Sequence, residues 1–185
     1  MVTSEELYSI YAEADCLHSA EDVELALDRM AAEITTKLGD TRPLVLCVMI
    51  GGIVPTGRLL PRLNFPLDLD YIHATRYGHA TRGGQLEWIV RPRSSLQGRV
   101  ILLVDDIHDE GHTLAAVKTE CRSKGASAVY SAVLVNKKHD RKNNTTADFV
   151  GLTVEDRYVF GCGMDYQGFW RNAPGIYALK ENSKD

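Results

Sequence analysis

The hydrophobic positions near the start of the chain recur at helical spacing. Apolar residues come every three or four positions in two segments, the first with Leu7, Ile10, Tyr11 and Ala14 and the second with Val23, Leu27, Met30, Ile34 and Leu38. A capping-box pattern precedes each segment, formed by Thr3 with Glu6 and by Ser19 with Asp22, and Gly39 marks the end of the second. The sequence therefore predicts two amphipathic helices that pack on a sheet.

A different pattern begins at Leu44, where the chain becomes apolar on successive residues. The run "LVLCVMI", Leu44 to Ile50, is typical of a strand covered on both faces, and it breaks at Gly51-Gly52. Further strands are predicted at Leu67 to Ile72, Arg99 to Val104, Ala128 to Val135 and Phe149 to Val154, with helices from about Pro55 and from Thr113 to Lys124. This alternation predicts βαβ units and a parallel sheet, with irregular stretches at residues 76–85 and 136–147.

Composition narrows the class of protein without identifying an activity. With 185 residues, 44% of them hydrophobic, the chain is expected to form one domain over residues 1–185. The acidic N-terminal residues do not resemble a secretory signal, and no apolar run reaches the roughly 20 residues that cross a membrane. We therefore expect a cytoplasmic protein with no membrane partner. A net charge of −4 argues against a nucleic-acid partner. Four cysteines without a Cys-x-x-Cys pair suit reduced, mostly buried thiols better than a disulfide or zinc site.

Candidate chemistry concentrates where the apolar run from Arg99 ends. The stretch "RVILLVDDIHDEGHTL" places Asp105 and Asp106 after that run and Asp109 just before the start of a helix. In an open parallel sheet, ligands bind beyond the carboxyl ends of the strands, and the amides of a loop that opens a helix can cradle phosphate. Carboxylates beside such a cradle suit sugar hydroxyls, Mg²⁺ or a proton to be removed. The pattern favours a phosphorylated sugar with a metal, although a solvated helix-capping turn and a receiver-type phospho-acceptor also fit it.

The same stretch carries a family resemblance. "ILLVDDIHDEGHTL", Ile101 to Leu114, resembles the 5-phosphoribosyl 1-pyrophosphate (PRPP) motif of type I phosphoribosyltransferases. Other segments resemble the hypoxanthine-guanine branch in order and spacing: "VMIGG" its pyrophosphate loop, "VNKK" its base-contacting lysine, and "DRYVFGCGMDYQGFWR" its purine and metal segment. The resemblance implies an α/β fold with a central parallel sheet flanked by helices, and a small hood from the terminal segments that includes residues 156–185.

The resemblance also implies an activity. It would be the Mg²⁺-dependent transfer of the 5-phosphoribosyl group from PRPP to N9 of hypoxanthine or guanine, which gives IMP or GMP and pyrophosphate in purine salvage. The implied partners are therefore PRPP and a 6-oxopurine base. A homodimer or homotetramer is implied as well.

Individual roles follow from the positions that match the family motifs. The PRPP-binding residues would be Asp105, Asp106, Asp109, Glu110, Gly111, His112 and Thr113. Pyrophosphate would meet Ile50, Gly51 and Arg171, the base would meet Lys137, Tyr158 and Val159, and the metal would meet Asp165, Asp105 and Asp106. Asp109 would be the catalytic general base or acid at N7 of the purine. Arg76 and Tyr77 would begin a mobile loop that closes over the reaction centre.

Some of these residues have plain structural interpretations. Lys137 lies in a basic cluster that could be a solvated loop, and Tyr158 could be a core aromatic. Asp165 could be a turn residue and Arg171 half of a surface ion pair.

Because an ammonium group only donates hydrogen bonds, Lys137 as a base contact would favour 6-oxopurines over adenine.

The chain also departs from the family pattern. Glu110 stands where Thr is common and adds a carboxylate beside the phosphate cradle, and Ile50 stands where many relatives carry Lys. His73 and Thr75 likewise occupy positions that are basic in some relatives. We expect these changes to affect the affinity for PRPP more than the reaction itself.

The histidines and the phosphoribosyltransferase fold each allow a further interpretation. His108, His112 and His139 are expected to be solvated or to lie behind the residues that touch substrate, and no zinc site is predicted. A regulator with the phosphoribosyltransferase fold, which binds nucleic acid or nucleotide, tends to lose the catalytic acid or the base-binding segment. Both are present here, so the enzyme is favoured.

Overall fold

The computed structural model describes residues 2–76 and 86–180 of the chain. Its α-helices in these ranges are α1 (Ser4–Glu13), α2 (Ala20–Leu38), α3 (Ile53–Leu59) and α4 (His112–Ser123), and a 3-10 turn at Leu60–Arg62 follows α3. Its strands are β1 (Asp15–His18), β2 (Leu44–Met49), β3 (Asp68–Arg76), β4 (Leu86–Val90), β5 (Val100–His108), β6 (Ala128–Lys137), β7 (Phe149–Val154), β8 (Val159–Phe160) and β9 (Ile176–Ala178).

Both predicted capping boxes form. The Thr3 hydroxyl accepts from the Glu6 amide, and the Glu6 carboxylate accepts from the Thr3 amide at 2.7 Å. Ser19 and Asp22 make the same reciprocal pair at the start of α2. All five apolar positions predicted for the second helix are buried in a core cluster between α2 and the central sheet. The helical spacing in the sequence therefore identifies the buried face of α2.

The central sheet has six strands in the order β4-β3-β2-β5-β6-β7. The strands from β3 to β7 pair in parallel, and β4 pairs antiparallel at the edge. Successive residues of β5 alternate between two cores: Leu102 packs in the cluster with α2, and Ile101 and Leu103 pack in the cluster with Leu114 of α4. The sheet is covered on both faces at β2 and β5, which is why these two strands are apolar on successive residues.

A small sheet lies beside the large one. Its strands run β1-β9-β8 and pair antiparallel, so both terminal segments contribute to this hood. Helix α1 packs on it through Tyr11, whose ring meets that of Tyr177 in β9 edge to face with centroids 4.9 Å apart. The Tyr11 ring also stacks on Trp170 with centroids 4.7 Å apart. The Trp170 indole N–H donates to the Leu7 carbonyl at 3.0 Å. Three of the four cysteines are buried and Cys16 is exposed.

Several element boundaries differ from the sequence prediction. The strand predicted at Arg99 to Val104 corresponds to β5. The prediction that it stops at Val104 is wrong, because Ile107 and His108 still pair with Val135 and Asn136 of β6. The acidic pair therefore lies within β5 and not after it. Helix α3 begins two residues before Pro55, and the short strands β1, β4, β8 and β9 were not predicted. Arg76 ends β3, whereas Tyr77 and the rest of the predicted mobile loop up to residue 85 lie outside the described residues.

None of the helices in the described ranges has the length and apolar character needed to cross a membrane.

Candidate active site

A cavity of about 240 Å³ opens where β2 and β5 end. Its lining comprises Val48, Met49, Gly51, Ala74, Arg171 and every residue from Asp105 to Leu114. It thus brings together all the residues predicted to bind PRPP with two of the three predicted for pyrophosphate. The third, Ile50, does not line the cavity, and its side chain is 48% exposed. Its peptide bond with Met49 is cis.

The loop before α4 forms a backbone cradle. Gly111 is the N-cap of the helix and has a φ of 84°, in the left-handed region that glycine tolerates best. A Cβ at this position would lie 2.5 Å from the side-chain oxygen Oδ1 of Asn143. The backbone N–H of Asn143 donates to the Glu110 carbonyl at 3.0 Å. Thr113 follows in the first turn and lines the cavity, and the first N–H groups of a helix have no acceptor within the helix itself. This arrangement suits an anion such as phosphate.

Asp105 and Asp106 place two carboxylates beside this cradle. Burial, together with the charge of the neighbouring Asp106, raises the pKa of Asp105 well above its usual range, and burial also raises the pKa of Asp106. Each accepts one backbone N–H, from Asp106 at 2.9 Å and from Ile107 at 2.7 Å. Within the described part of the chain, neither carboxylate has an ion-pair partner within 4.0 Å. The pair therefore calls for hydroxyl donors or a cation.

Gly51 makes room for this pair. A Cβ on Gly51 would lie 2.0 Å from Oδ2 of Asp106. Gly163, from the hood, packs against the same two residues. A Cβ added to Gly163 would lie 2.2 Å from the Gly51 carbonyl oxygen and 3.0 Å from the Asp106 Cβ. The hood and the end of β2 therefore meet backbone to backbone.

Asp109 is held by two basic side chains. Lys137 Nζ donates to Oδ2 at 3.0 Å, and His139 Nε2 lies 2.6 Å from Oδ1. Burial raises the pKa of the Asp109 carboxyl, but the hydrogen bonds from His139 and Lys137 outweigh it and hold the pKa below its usual value. The side chains of Lys137 and His139 are only 11% and 4% exposed. Lys137 is therefore not part of a solvated loop.

Glu110 has basic neighbours as well. Its carboxylate lies 3.8 Å from Arg141 and 3.7 Å from His112. Arg141 in turn donates to both oxygens of Asp156, at 2.6 and 2.9 Å. These contacts account for the extra carboxylate beside the phosphate cradle, because the basic segment after β6 lies against it.

The hood supplies the remaining candidates. Arg171 pairs with Asp165 at 2.6 Å and donates to the Gly163 carbonyl at 2.6 Å. Asp165 also accepts from the Gly168 amide, and its carbonyl accepts from the Tyr158 hydroxyl at 3.2 Å. The Tyr158 side chain is 51% exposed, so it is not a core aromatic, whereas Val159 is buried in β8.

The base-binding candidates reach the cavity indirectly. Among the described residues, the cavity lining does not include Lys137, Tyr158 or Val159. Lys137 is joined to the cavity through Asp109, and Tyr158 through Asp165 and Arg171. Sequence reasoning missed the contact between His139 and Asp109, since nothing local indicates that residues 30 positions apart will meet.

Comparison with known proteins identifies the family. A family model described as "Phosphoribosyl transferase domain" matches residues 13–167, most of the chain. The chain belongs to the phosphoribosyltransferase family.

Its relatives narrow the branch. It is 33% identical over 165 residues to a hypoxanthine-guanine phosphoribosyltransferase of Bacillus subtilis, covering 89% of this chain and 92% of that protein. It is 30% identical to a hypoxanthine-guanine-xanthine phosphoribosyltransferase of Tritrichomonas foetus, covering 90% and 91%. A crystal structure of a Staphylococcus aureus hypoxanthine phosphoribosyltransferase has the same fold, with a TM-score of 0.87 over 93% of this chain and 95% of that one at 24% identity. The resemblance to the hypoxanthine-guanine branch and the expected fold class are confirmed.

Proposed function

We propose that this phosphoribosyltransferase carries out purine salvage by moving the 5-phosphoribosyl group of PRPP to N9 of hypoxanthine or guanine. The observation that carries the proposal is the Asp109–Lys137 ion pair at 3.0 Å, set at the rim of a cavity with a phosphate cradle. This pair would offer a carboxylate and an ammonium group to a purine bound there. The products would be IMP or GMP and pyrophosphate.

The cradle and the acidic pair would bind different parts of PRPP. The amides from Asp109 to Thr113 and the Thr113 hydroxyl would hold the 5′-phosphate, because amide and hydroxyl groups donate to phosphate oxygens. Asp105 and Asp106 would accept from the ribose hydroxyls. They would also stabilise the positive charge that develops at the ribosyl carbon as pyrophosphate leaves.

The base would be recognised from two sides. Lys137 would donate to the 6-oxo group, and Asp109 would take the proton from N7 while N9 attacks the ribosyl carbon. Tyr158 offers a half-exposed ring on which a purine can stack, and the Val159 backbone would meet the pyrimidine edge. Gly51 and Arg171, both at the cavity, would meet the departing pyrophosphate.

The donor set of this site fits Mg²⁺. Asp105 and Asp106 offer hard oxygen ligands. Burial raises the pKa of both carboxyl groups, and the nearby charge of Arg171 offsets only part of this effect at Asp106. Asp165 would have to exchange its contact with Arg171 before acting as a ligand. When bound, the ion would neutralise charge on the leaving pyrophosphate.

A panel of bases tests the proposed function. The protein is incubated with PRPP and Mg²⁺ and with hypoxanthine, guanine, xanthine, adenine or uracil, and nucleotide formation is followed by absorbance. We expect turnover with hypoxanthine and guanine and none with adenine or uracil, because Lys137 cannot accept from the 6-amino group. The absence of turnover with every base would overturn the proposal.

We further propose that the protein is a homodimer or homotetramer. Four apolar side chains, Ile50, Ile53, Leu69 and Tyr71, are between 41% and 54% exposed. All but Ile50 line a groove of about 600 Å³ beside β2, and exposed apolar clusters of this kind mark protein interfaces.

Light scattering tests the oligomeric state. The wild type should elute with a mass of two or four chains of 20.5 kDa, and Leu69→Asp should release single chains, because a carboxylate cannot be buried in an apolar contact. Tyr8→Asp is the matched control, since Tyr8 is 67% exposed but lies on α1. A wild type that elutes as a single chain contradicts the proposal.

A further inference from the structure

His139 is placed to control the carboxylate proposed as the catalytic base. It follows β6 in the basic segment that covers the cradle, and its side chain is 4% exposed. Its Nε2 lies 2.6 Å from Oδ1 of Asp109, while Lys137 takes Oδ2 at 3.0 Å. Each oxygen of Asp109 therefore has its own basic partner.

The second ring nitrogen of His139 defines its tautomer. The Arg141 amide N–H donates to Nδ1 of His139 at 3.1 Å. Since a backbone N–H can only donate, Nδ1 carries no proton, and the one proton of the neutral ring sits on Nε2 and is donated to Asp109. The contact with Arg141 at Nδ1 therefore makes Nε2 the ring nitrogen that donates to Asp109.

The two partners of Asp109 differ in how firmly they are held. Lys137 has a flexible stem, and in the proposed reaction its ammonium moves to the 6-oxo group and leaves Oδ2 free to face N7. His139 has a flat, buried ring with both nitrogens engaged. Its neighbour Arg141 is anchored in turn by Asp156 through two hydrogen bonds. His139 therefore stays on Oδ1 when Lys137 leaves Oδ2.

We propose that His139 is a positioning residue for Asp109: its Nε2–H holds one carboxylate oxygen so that the other faces the purine. The inference rests on the proposed function. In the transfer step, the lone pair of N9 forms the bond to the ribosyl carbon, the bond to pyrophosphate breaks with its electron pair on pyrophosphate, and the N7 proton moves to Oδ2 of Asp109. His139 keeps its own proton throughout and does not touch the substrate.

The charges around Asp109 determine how the loss of His139 would change the pKa of Asp109 and the pH dependence of the rate. Besides His139, the groups that face this carboxylate are Lys137 on β6 and the more distant Arg141 and Lys142 on the following segment. Burial raises the pKa of Asp109, whereas the bonds from His139 and Lys137 lower it. Without His139 the pKa must rise. The carboxylate is then protonated at a higher pH, and the acidic limb of the rate profile moves toward neutral pH.

Two substitutions separate positioning from packing. His139→Phe keeps most of the ring volume and removes the donor, whereas His139→Gln offers an amide N–H at similar reach. Lys138→Gln is the control, because Lys138 lies next to His139 with a side chain that is 63% exposed. For each variant, kcat, the KM for PRPP and the pH profile of kcat are measured, and thermal melting checks folding.

We expect His139→Phe to lower kcat by about ten- to a hundredfold and to leave the KM for PRPP unchanged. The acidic limb of the pH profile of kcat should shift to higher pH. His139→Gln should recover most of the lost kcat, and Lys138→Gln should match the wild type. A folded His139→Phe variant with wild-type kcat and an unmoved limb overturns the inference. Equal losses in both His139 variants without a shifted limb also overturn it, because they indicate packing alone.

A measurement on the resting protein separates this inference from the proposed function. Nitrogen NMR shifts of the His139 ring report which nitrogen is protonated, and carbon NMR reports the titration of Asp109. We expect a proton on Nε2 and a higher Asp109 pKa in His139→Phe. Failure of the wild type to use any purine would defeat the proposed function, whereas a proton on Nδ1 would defeat the positioning role whatever the activity.

Discussion

Asp109→Asn should lower kcat by about two to four orders of magnitude, the usual contribution of general acid–base catalysis. The amide keeps the size of the carboxylate but cannot take the N7 proton. Asp109 would contribute only its backbone N–H to the phosphate cradle, so the affinity for PRPP, measured by titration calorimetry, should stay close to that of the wild type. Both effects follow from the proposed roles, in which Asp109 would present its side chain to the base and only its backbone to the cradle.

A matched variant controls for the loss of charge. Asp140→Asn removes an exposed carboxylate from the segment that also carries His139, and it should leave kcat and PRPP binding unchanged. If Asp109→Asn kept more than about a tenth of the wild-type kcat, Asp109 would not be the base, since general bases contribute more than that.

Gly51→Ala should produce the other large loss. The new methyl group would lie 2.0 Å from Oδ2 and 2.4 Å from Cγ of Asp106, far inside contact distance. Asp106 must then turn away or the end of β2 must shift, and either change separates the acidic pair from the cradle. We expect kcat/KM for PRPP to fall by about a hundredfold or more, and the free energy of unfolding to fall by about 1–3 kcal/mol.

Gly57→Ala provides the comparison for this variant. Gly57 lies within α3, and nothing is found within 4 Å of the position of a new Cβ. Alanine is the better helix former, so this variant should be more stable by about 0.5–1 kcal/mol with unchanged kinetics. Steady-state kinetics and chemical unfolding are measured for both glycine variants. Wild-type kinetics for Gly51→Ala would mean that activity does not require the close approach of Gly51 to Asp106.

Much of the central fold could be predicted because its signals are local. A strand covered on both faces must be apolar on successive residues, and the runs from Leu44 and from Ile101 show this directly. Capping boxes need only two residues three positions apart, and both were identified. The acidic pair could be placed at the ligand edge because parallel strands present their carboxyl ends there.

What the sequence did not indicate depends on contacts between distant residues. Aspartate disfavours strands, so β5 was expected to stop before Asp105, but pairing with β6 outweighs that preference and carries the strand on to His108. The short hood strands exist only because segments from both ends of the chain pair with each other. Arg141, which lies beside Glu110, and His139, which lies beside Asp109, come from the segment after β6, and no spacing in the sequence indicates these contacts.

The contact of Gly51 with Gly163 bears on how the specificity of this enzyme could be redesigned. The hood turn and the end of β2 touch through backbone atoms, with no side chain between them that could be exchanged for a larger or smaller one. Libraries that aim to admit other bases should therefore leave this seam untouched and vary the open end of the hood around Tyr158, where the ring is half exposed and substitutions have room.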